Sequence, residues 1–412
     1  MANELQQLII ERIQREGPIT FAEYMRMALY EPGYGYYVTG QVRVGWEGDY
    51  YTSTDISTFF ANCMGRQLQR MWQKLGRPAS FIVLEQGAGR GHLAQGIRGW
   101  AAQHAPEFNA ALDYRTEDIH TGQNVIVGAG TAPPHPVGAR DLTHSPPDCV
   151  AASLRAPTDQ HHTGAINHEP GLGDSYTTDN AYPPSVILSN ELIDAFPVHL
   201  VETLGKQLYE IFVDVHEGHL HEVLAEPSTG DVATYLDRYK IPWHIFGDGW
   251  RAEINLDAFR WIERASRLIA RGFILTIDYG DKAKALYTRH RRRGTLTCYS
   301  HHHMNEHPLM HPGQQDITAH VNFSALIDEG RRHGLRLSAF TTQRLWLEGL
   351  GIYEDLQQRR LNEFSEADTE RATDRGQVAL LRWYNLRQRI LVLTDPAGMG
   401  NFKVLLQSRM RI

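Results

Sequence analysis

Residues 81–93 read FIVLEQGAGRGHL, and their types and spacing suit a ligand-binding turn. Four apolar residues at 81–84 lead into an acid, Glu85, and then into Gly87, Gly89 and Gly91 at alternate positions. A short apolar run bounded by glycines predicts a buried parallel strand. Residues 92–104 read as the helix that follows. A strand, a glycine turn and a helix open a nucleotide site in an α/β sheet. Glycine lets the backbone come close to a ligand there.

The spacing separates two ligand classes. A dinucleotide fingerprint requires G-x-G-x-x-G, and here the third position is His92. The pattern is E-x-G-x-G-x-G instead, the arrangement that S-adenosylmethionine enzymes use. That ligand has no pyrophosphate, so the helix N-terminus need not hold phosphate. An acid at the strand end can bind its ammonium. Glu85 is therefore expected at the amino-acid end of the cofactor, and Gly87, Gly89 and Gly91 along it. An ordinary glycine-rich turn is the plainer alternative.

These residues need a scaffold. Leu5, Ile9 and Ile13 lie on one face of a short amphipathic helix that Gly17 and Pro18 end. Thr20 and Glu23 form a capping box ahead of a second helix. GDYYTSTDIS at 48–57 precedes a helix to about residue 75. A second strand is expected at 111–117, closing at Glu117. A third occupies 186–188 and is followed by Asn190 and Glu191. Alternation over 198–224 predicts a β-meander. A helix at 256–270 leads to a strand over 273–280 that carries Asp278. Two more strands are expected at 335–342 and 402–408. Buried strands alternating with helices predict an α/β fold with a doubly wound sheet. Residues 120–183 are rich in Pro, His, Thr, Gly and Asp and lack periodicity. They read as an insertion, or as a stretch translated out of frame between two compensating frameshifts.

Composition narrows the class. The 412 residues suffice for a large core and more than one domain. A net charge of -7 argues against a bulk nucleic-acid binder. No apolar stretch nears the roughly 20 residues of a membrane span. Cys63, Cys149 and Cys298 are few and far apart, and suggest neither a disulfide framework nor zinc. With no recognisable leader in MANELQQLIIERIQREG, a reducing cytoplasm is the expected location. His301, His302, His303, His307 and His311 share one loop, but consecutive histidines cannot converge on one ion, so no metal is expected. The basic run at 289–293 reads as a solvated turn.

Several segments together resemble the MidA-like family of S-adenosylmethionine-dependent methyltransferases. They are ITFAEYMRMALYEPGYGYY, GDYYTSTDIS, EQGAGRGHL, SNELIDAFPV, DYG, the stretch from GTLTCYS to DITAHVNF, and DPAGMGNFKVLL. They occur in the family's order along almost the whole chain. Two departures stand out. The chain has TSTDIS where the family usually has TSPEIS, and residues after Glu117 lack the family's next helix and strand.

The resemblance implies a class I methyltransferase fold. Residues 1–78 would form an N-terminal helical cap and 79–412 the methyltransferase domain, with the irregular segment 120–183 and an inserted substrate region at 198–255. Asp49, Thr52 and Ser53 resemble the family's cofactor-side loop, although a helix N-cap with its turn would look the same. An acid ending the second strand commonly takes ribose hydroxyls, which points to Glu117. Asn190 and Glu191 follow the strand whose end faces the methyl acceptor in this class, with Asp278 and Tyr279 on the same side. Mitochondrial family members support respiratory complex I assembly by methylating an arginine. The implied partner is thus a protein, such as a respiratory-complex subunit. Carboxylates can grip a guanidinium bidentately, with Glu191 first and Asp194 as helper. Asp194 also suits the first turn of a helix. Three rival readings remain at this stage: a non-catalytic assembly factor that keeps the fold, a nicotinamide-dependent oxidoreductase, and methylation of a small molecule.

Overall fold

The computed structural model describes residues 4–39, 53, 58–118, 183–300, 303–369 and 374–410. Asp49, Thr52 and nearly all of the irregular stretch at 120–183 lie outside the described residues.

Six strands form the central sheet: β1 (Phe81–Gln86), β2 (Leu112–Glu117), β3 (Val186–Asn190), β4 (Gly272–Asp278), β5 (Arg336–Thr342) and β6 (Lys403–Arg409). The principal helices are α1 (Glu4–Glu16), α2 (Phe21–Tyr30), α3 (Thr58–Lys74), α4 (His92–His104), α5 (Pro106–Ala111), α6 (Asp257–Leu268), α7 (Phe323–Arg332), α8 (Gln343–Gly349), α9 (Ile352–Thr369) and α10 (Asp374–Thr394).

The strand order is β5-β6-β4-β3-β1-β2. β2, β1, β3 and β4 run parallel. β6 is antiparallel to both β4 and β5. Every residue of β1, β3 and β4 is buried, as expected of parallel strands covered on both faces. On one face, Phe81, Val83, Val186 and Leu188 meet Phe60, Met64 and Leu68 of α3 and Ile97 of α4. On the other, Ile187 and Ile274 meet Trp261 and Ile262 of α6 and Phe323 and Leu326 of α7. The two helices on the first face cross closely because of glycine. A Cβ on Gly65 would lie 2.3 Å from the Trp100 ring, and one on Gly96 would lie 2.5 Å from Ala61 Cβ.

The alternating stretch after Val198 forms the strands His199–Leu204, Gln207–His216 and His219–Ala225. Their turns carry Gly205-Lys206 and Glu217-Gly218, all with positive φ, as tight hairpins require. Arg251–Ile254 and Ile19–Thr20 complete this sheet. Leu5, Ile9 and Ile13 of α1, with Phe21 and Met25 of α2, share its core with Leu200, Ile211 and Val213. Thr20 caps α2 by accepting from Glu23 N at 3.1 Å. The Glu23 carboxylate, however, pairs with Arg12 of α1.

Sequence reading assigned no element to 343–401, where the chain forms α8, α9 and α10. The reason lies in α10, which is apolar on two sides. Ala379, Ile390 and Leu393 are buried, whereas Val378, Leu381 and Tyr384 are exposed. An apolar residue at nearly every turn position blurs the helical period.

Candidate functional site

The glycine turn joins β1 to α4. Gly87, Gly89 and Gly91 have φ of 73°, 53° and 72°. The end of β2 locks the turn in place. Gly87 N and Ala88 N donate to Glu117 O at 2.9 and 3.3 Å, and Gly89 N donates to Asp118 Oδ2 at 2.6 Å. A Cβ on Gly87 would lie 2.8 Å from Leu192 Cδ1, a side-chain end that can shift, so the positive φ is the stronger reason for glycine there. Cβ atoms on Gly89 or Gly91 would meet nothing within 4 Å among the described residues. Among the described residues, those two face open space at the carboxyl ends of the strands.

Two acids flank the turn on opposite faces of the sheet. Glu85 is 3% exposed and accepts from Tyr114 Oη at 3.0 Å. Burial pushes its carboxyl up to about 8; the Tyr114 bond opposes this and the Asp118 charge adds to it. Glu117 accepts from Gln86 Nε2 at 2.9 Å, and Gln86 Oε1 accepts from Trp261 Nε1 at 2.9 Å. Burial raises the Glu117 pKa against the opposing effects of Gln86 and Arg264. Tyr114, Gln86 and Trp261 were not among the expected site residues. The available signal was a polar Gln86 ending an otherwise apolar strand.

A second acidic group gathers where β3 and β4 end. Glu191 adopts φ of 51°, a left-handed conformation uncommon outside glycine. Its backbone N–H donates to Ile277 O at 2.9 Å. Its carboxylate Oε1 accepts from Ser53 N at 2.8 Å and from Asn190 Nδ2 at 3.0 Å. Burial pushes Glu191 up to about 7; the Ser53 N–H opposes the rise and the Asp194 charge adds to it. Asp194 lies in the short turn Ile193–Ala195 and accepts from the Tyr279 hydroxyl. Burial pushes it up to about 6, against that hydrogen bond.

Asp278 Oδ2 accepts from Ile193 N at 3.0 Å and from Asp194 N at 3.4 Å, and Oδ1 accepts from Tyr279 N at 2.9 Å. It therefore holds the turn that carries Asp194. Burial, Asp194 and Glu191 together raise its pKa well above the ordinary value. Asn190 Oδ1 and Asp194 Oδ1 are buried without a hydrogen-bond partner among the described residues. Buried polar atoms are rarely left so, and both suit a ligand that donates hydrogen bonds.

Other segments brace this corner. Tyr30 Oη at the end of α2 donates to Ala195 O at 2.8 Å. Tyr37 Oη donates to Asp316 Oδ1 at 2.6 Å, and Ala319 N donates to Asp194 O at 2.9 Å. Ser53, fully buried, reaches Glu191 after β3, whereas Glu85 and Glu117 stand beside the glycine turn. Among the described residues, no group of three or more His, Cys, Asp or Glu could hold a metal ion. No helix there is long and apolar enough to cross a membrane.

Comparison with known proteins adds the chemistry. The family described as "Putative S-adenosyl-L-methionine-dependent methyltransferase" matches residues 63–122 and 150–341, more than half of the chain. The chain is 26% identical to the Drosophila melanogaster mitochondrial protein arginine methyltransferase NDUFAF7 homolog, over 96% of this chain and 82% of that one. It is 28% identical to the Homo sapiens mitochondrial protein arginine methyltransferase NDUFAF7, over 77% and 67%. A crystal structure from Burkholderia thailandensis, bound to S-adenosyl-homocysteine, superposes with a TM-score of 0.73 at 25% identity, over 98% of this chain and 92% of that one. These relatives overturn the expected cytoplasmic location, because the curated ones are named as mitochondrial proteins. The nicotinamide alternative falls as well: the glycine turn, its flanking acids and the matched family together make this chain a member of the S-adenosyl-L-methionine-dependent methyltransferases.

Proposed function

We propose that the chain transfers a methyl group to an arginine side chain of a protein, such as a subunit of a respiratory complex. The observation that carries this reading is the cluster of Glu191, Asp194 and Asp278 beside the glycine turn. Three neighbouring buried carboxyls resist ionising together, and a guanidinium supplies the positive charge they lack. The unpartnered Asn190 Oδ1 and Asp194 Oδ1 supply acceptors for its N–H groups. Names of the relatives support the same acceptor.

The residues fit the cofactor. S-adenosyl-L-methionine, when bound, supplies an electrophilic methyl group on a sulfonium. Gly89 and Gly91 leave room for it, and Glu85 gains the opposite charge it lacks when an ammonium lies nearby. Glu117, braced through Gln86 by Trp261, suits a pair of hydroxyls. Asp49 and Thr52, in the segment that resembles the family's cofactor-side loop, complete the assignment. Glu191 orients the acceptor nitrogen and takes up its proton after transfer. Its pKa of about 7 suits that task at neutral pH. Asn190 fixes the Glu191 carboxylate, and Asp278 fixes the turn bearing Asp194. In this reading, a class I methyltransferase domain spans 79–412. Helices α1 and α2 of the segment expected as a cap at 1–78, with the inserted strands within 198–255, form the side that meets the protein substrate, while α3 packs on the central sheet.

The test is methylation of purified respiratory-complex subunits with isotopically labelled S-adenosyl-L-methionine, followed by peptide mass spectrometry. Label on an arginine is the expected result. Label on another residue type, with arginine unmodified, overturns the reading.

A further inference from the structure

Gln343 opens α8 and is fully buried. A buried amide is costly unless both of its ends are bonded. Nε2 donates to Leu393 O at 3.1 Å, in the last turn of α10. Oε1 accepts from Ser53 Oγ at 3.3 Å. The backbone N–H donates to Phe402 O at 2.7 Å, next to β6. Ser53 N in turn donates to Glu191 Oε1 at 2.8 Å. Four distant parts of the chain thus meet in one line: α10, α8, Ser53 and the acid after β3.

We propose that Gln343 is a positioning residue for Glu191, acting through Ser53. Its amide oxygen holds the Ser53 hydroxyl, and this aims the Ser53 N–H at the carboxylate. The proposal rests on the reading of Glu191 as the acceptor-side acid. A leucine or methionine would fill the same core space, and Leu393 O alone explains only the Nε2 end of the amide. The Oε1 end has no use apart from Ser53 among the described residues.

The consequence is electrostatic. Burial and the Asp194 charge raise the Glu191 carboxyl, while the Ser53 N–H, the Asn190 amide and the Ser53 hydroxyl lower it. Asp278 faces the same group, and Tyr279 acts on it through Asp194. Releasing Ser53 weakens the hydrogen bonds that its N–H and hydroxyl give Glu191, so Glu191 should titrate at higher pH.

The experiment is an infrared titration of carboxyl bands in the full chain. The Glu191 band is the one that disappears in Glu191→Gln. Gln343→Met and Ser53→Ala are compared singly and together, with circular dichroism confirming that each is folded. The expected result is a Glu191 midpoint raised by about one pH unit in either single variant. The double variant should rise no further, because both changes break one link. If Gln343→Met does not fold, Gln343→Leu, which also lacks the acceptor for the Ser53 hydroxyl, takes its place. An unchanged midpoint in a folded variant, or additive shifts in the pair, overturns the proposal. Turnover of labelled cofactor by Glu191→Gln separates the two ideas: unchanged turnover sinks the role of Glu191, whereas the midpoints test only the link to Gln343.

Discussion

Ser53 and Glu191 lie 138 positions apart and are joined by a 2.8 Å hydrogen bond from a backbone N–H to a carboxylate. One belongs to the segment expected on the cofactor side and the other to the acid expected on the acceptor side. Their bond ties an early segment to the turn after β3, and the Ser53 N–H holds the Glu191 pKa below where burial alone would put it.

Glu191→Gln keeps the shape of the side chain and removes its charge. Cofactor affinity should stay within about twofold, and turnover with a methyl acceptor should fall by about 10²–10³, the usual scale for losing a charge-stabilising group. Calorimetric titration with S-adenosyl-L-methionine and a single-turnover assay measure the two quantities. Full turnover in this variant removes Glu191 from the catalytic set.

Gly89 has φ of 53°, and among the described residues its absent Cβ would meet nothing within 4 Å. In Gly89→Val, a β-branched residue is forced into the left-handed region at a cost of about 1–3 kcal/mol, and its side chain fills room the ligand needs. Binding of S-adenosyl-L-methionine should fall below detection while the far-ultraviolet spectrum remains that of the wild type. Ordinary affinity in a folded variant would show that the ligand does not lie over Gly89.

Stability should fall as pH rises. Burial raises Glu85 from 4.5 to about 8 and Glu191 from 4.5 to about 7. Between those values the folded chain binds more protons than the unfolded chain. The stabilisation is complete below about pH 4.5 and is lost as pH passes through the folded values. Glu85 alone contributes roughly 4–5 kcal/mol over that range. Melting temperatures without ligand should decline from pH 5 to pH 8, and S-adenosyl-L-methionine should restore most of the loss at pH 8. A flat profile contradicts the burial of these charges.

Tyr279→Phe removes the hydroxyl that donates to Asp194. That bond holds the Asp194 carboxyl down, so without it the group should titrate above about 6. The acid limb of the pH–rate profile should move to higher pH, with little change in the affinity for cofactor. An unmoved limb means that Asp194 does not limit the rate there.

Gly65 tests the scaffold rather than the site. Gly65→Ala places a methyl group against the Trp100 ring and should cost about 1–3 kcal/mol through overpacking. Chemical denaturation measures the loss. Cofactor affinity of the folded protein should be unchanged, because Gly65 lies between α3 and α4 and away from the glycine turn.

Local pattern made much of this legible beforehand. The helix expected at 92–104 is His92–His104, and the strand expected to close at Glu117 is Leu112–Glu117. An amphipathic or fully apolar run has its own period, and a glycine with positive φ announces a turn. The acids at the strand ends were proposed for the site because ligands sit at strand ends in such a sheet. The compartment was not legible, since a weak leader signal says little. The helical pair α9 and α10 was hidden because α10 is apolar on two sides.

The sequence by itself determined the strand ends, the glycine turn and the kind of residue at each. These depend on neighbours a few positions apart, and the chain spells them out. Only the tertiary structure decided that Ser53 binds Glu191, that Tyr114 binds Glu85, and that Gln343 stands behind Ser53. Those bonds depend on where distant segments cross, and crossing points follow from packing the whole core. Burial sets the protonation of Glu85 and Glu191 in the same way, because the removal of water around a carboxyl is a property of the assembled fold.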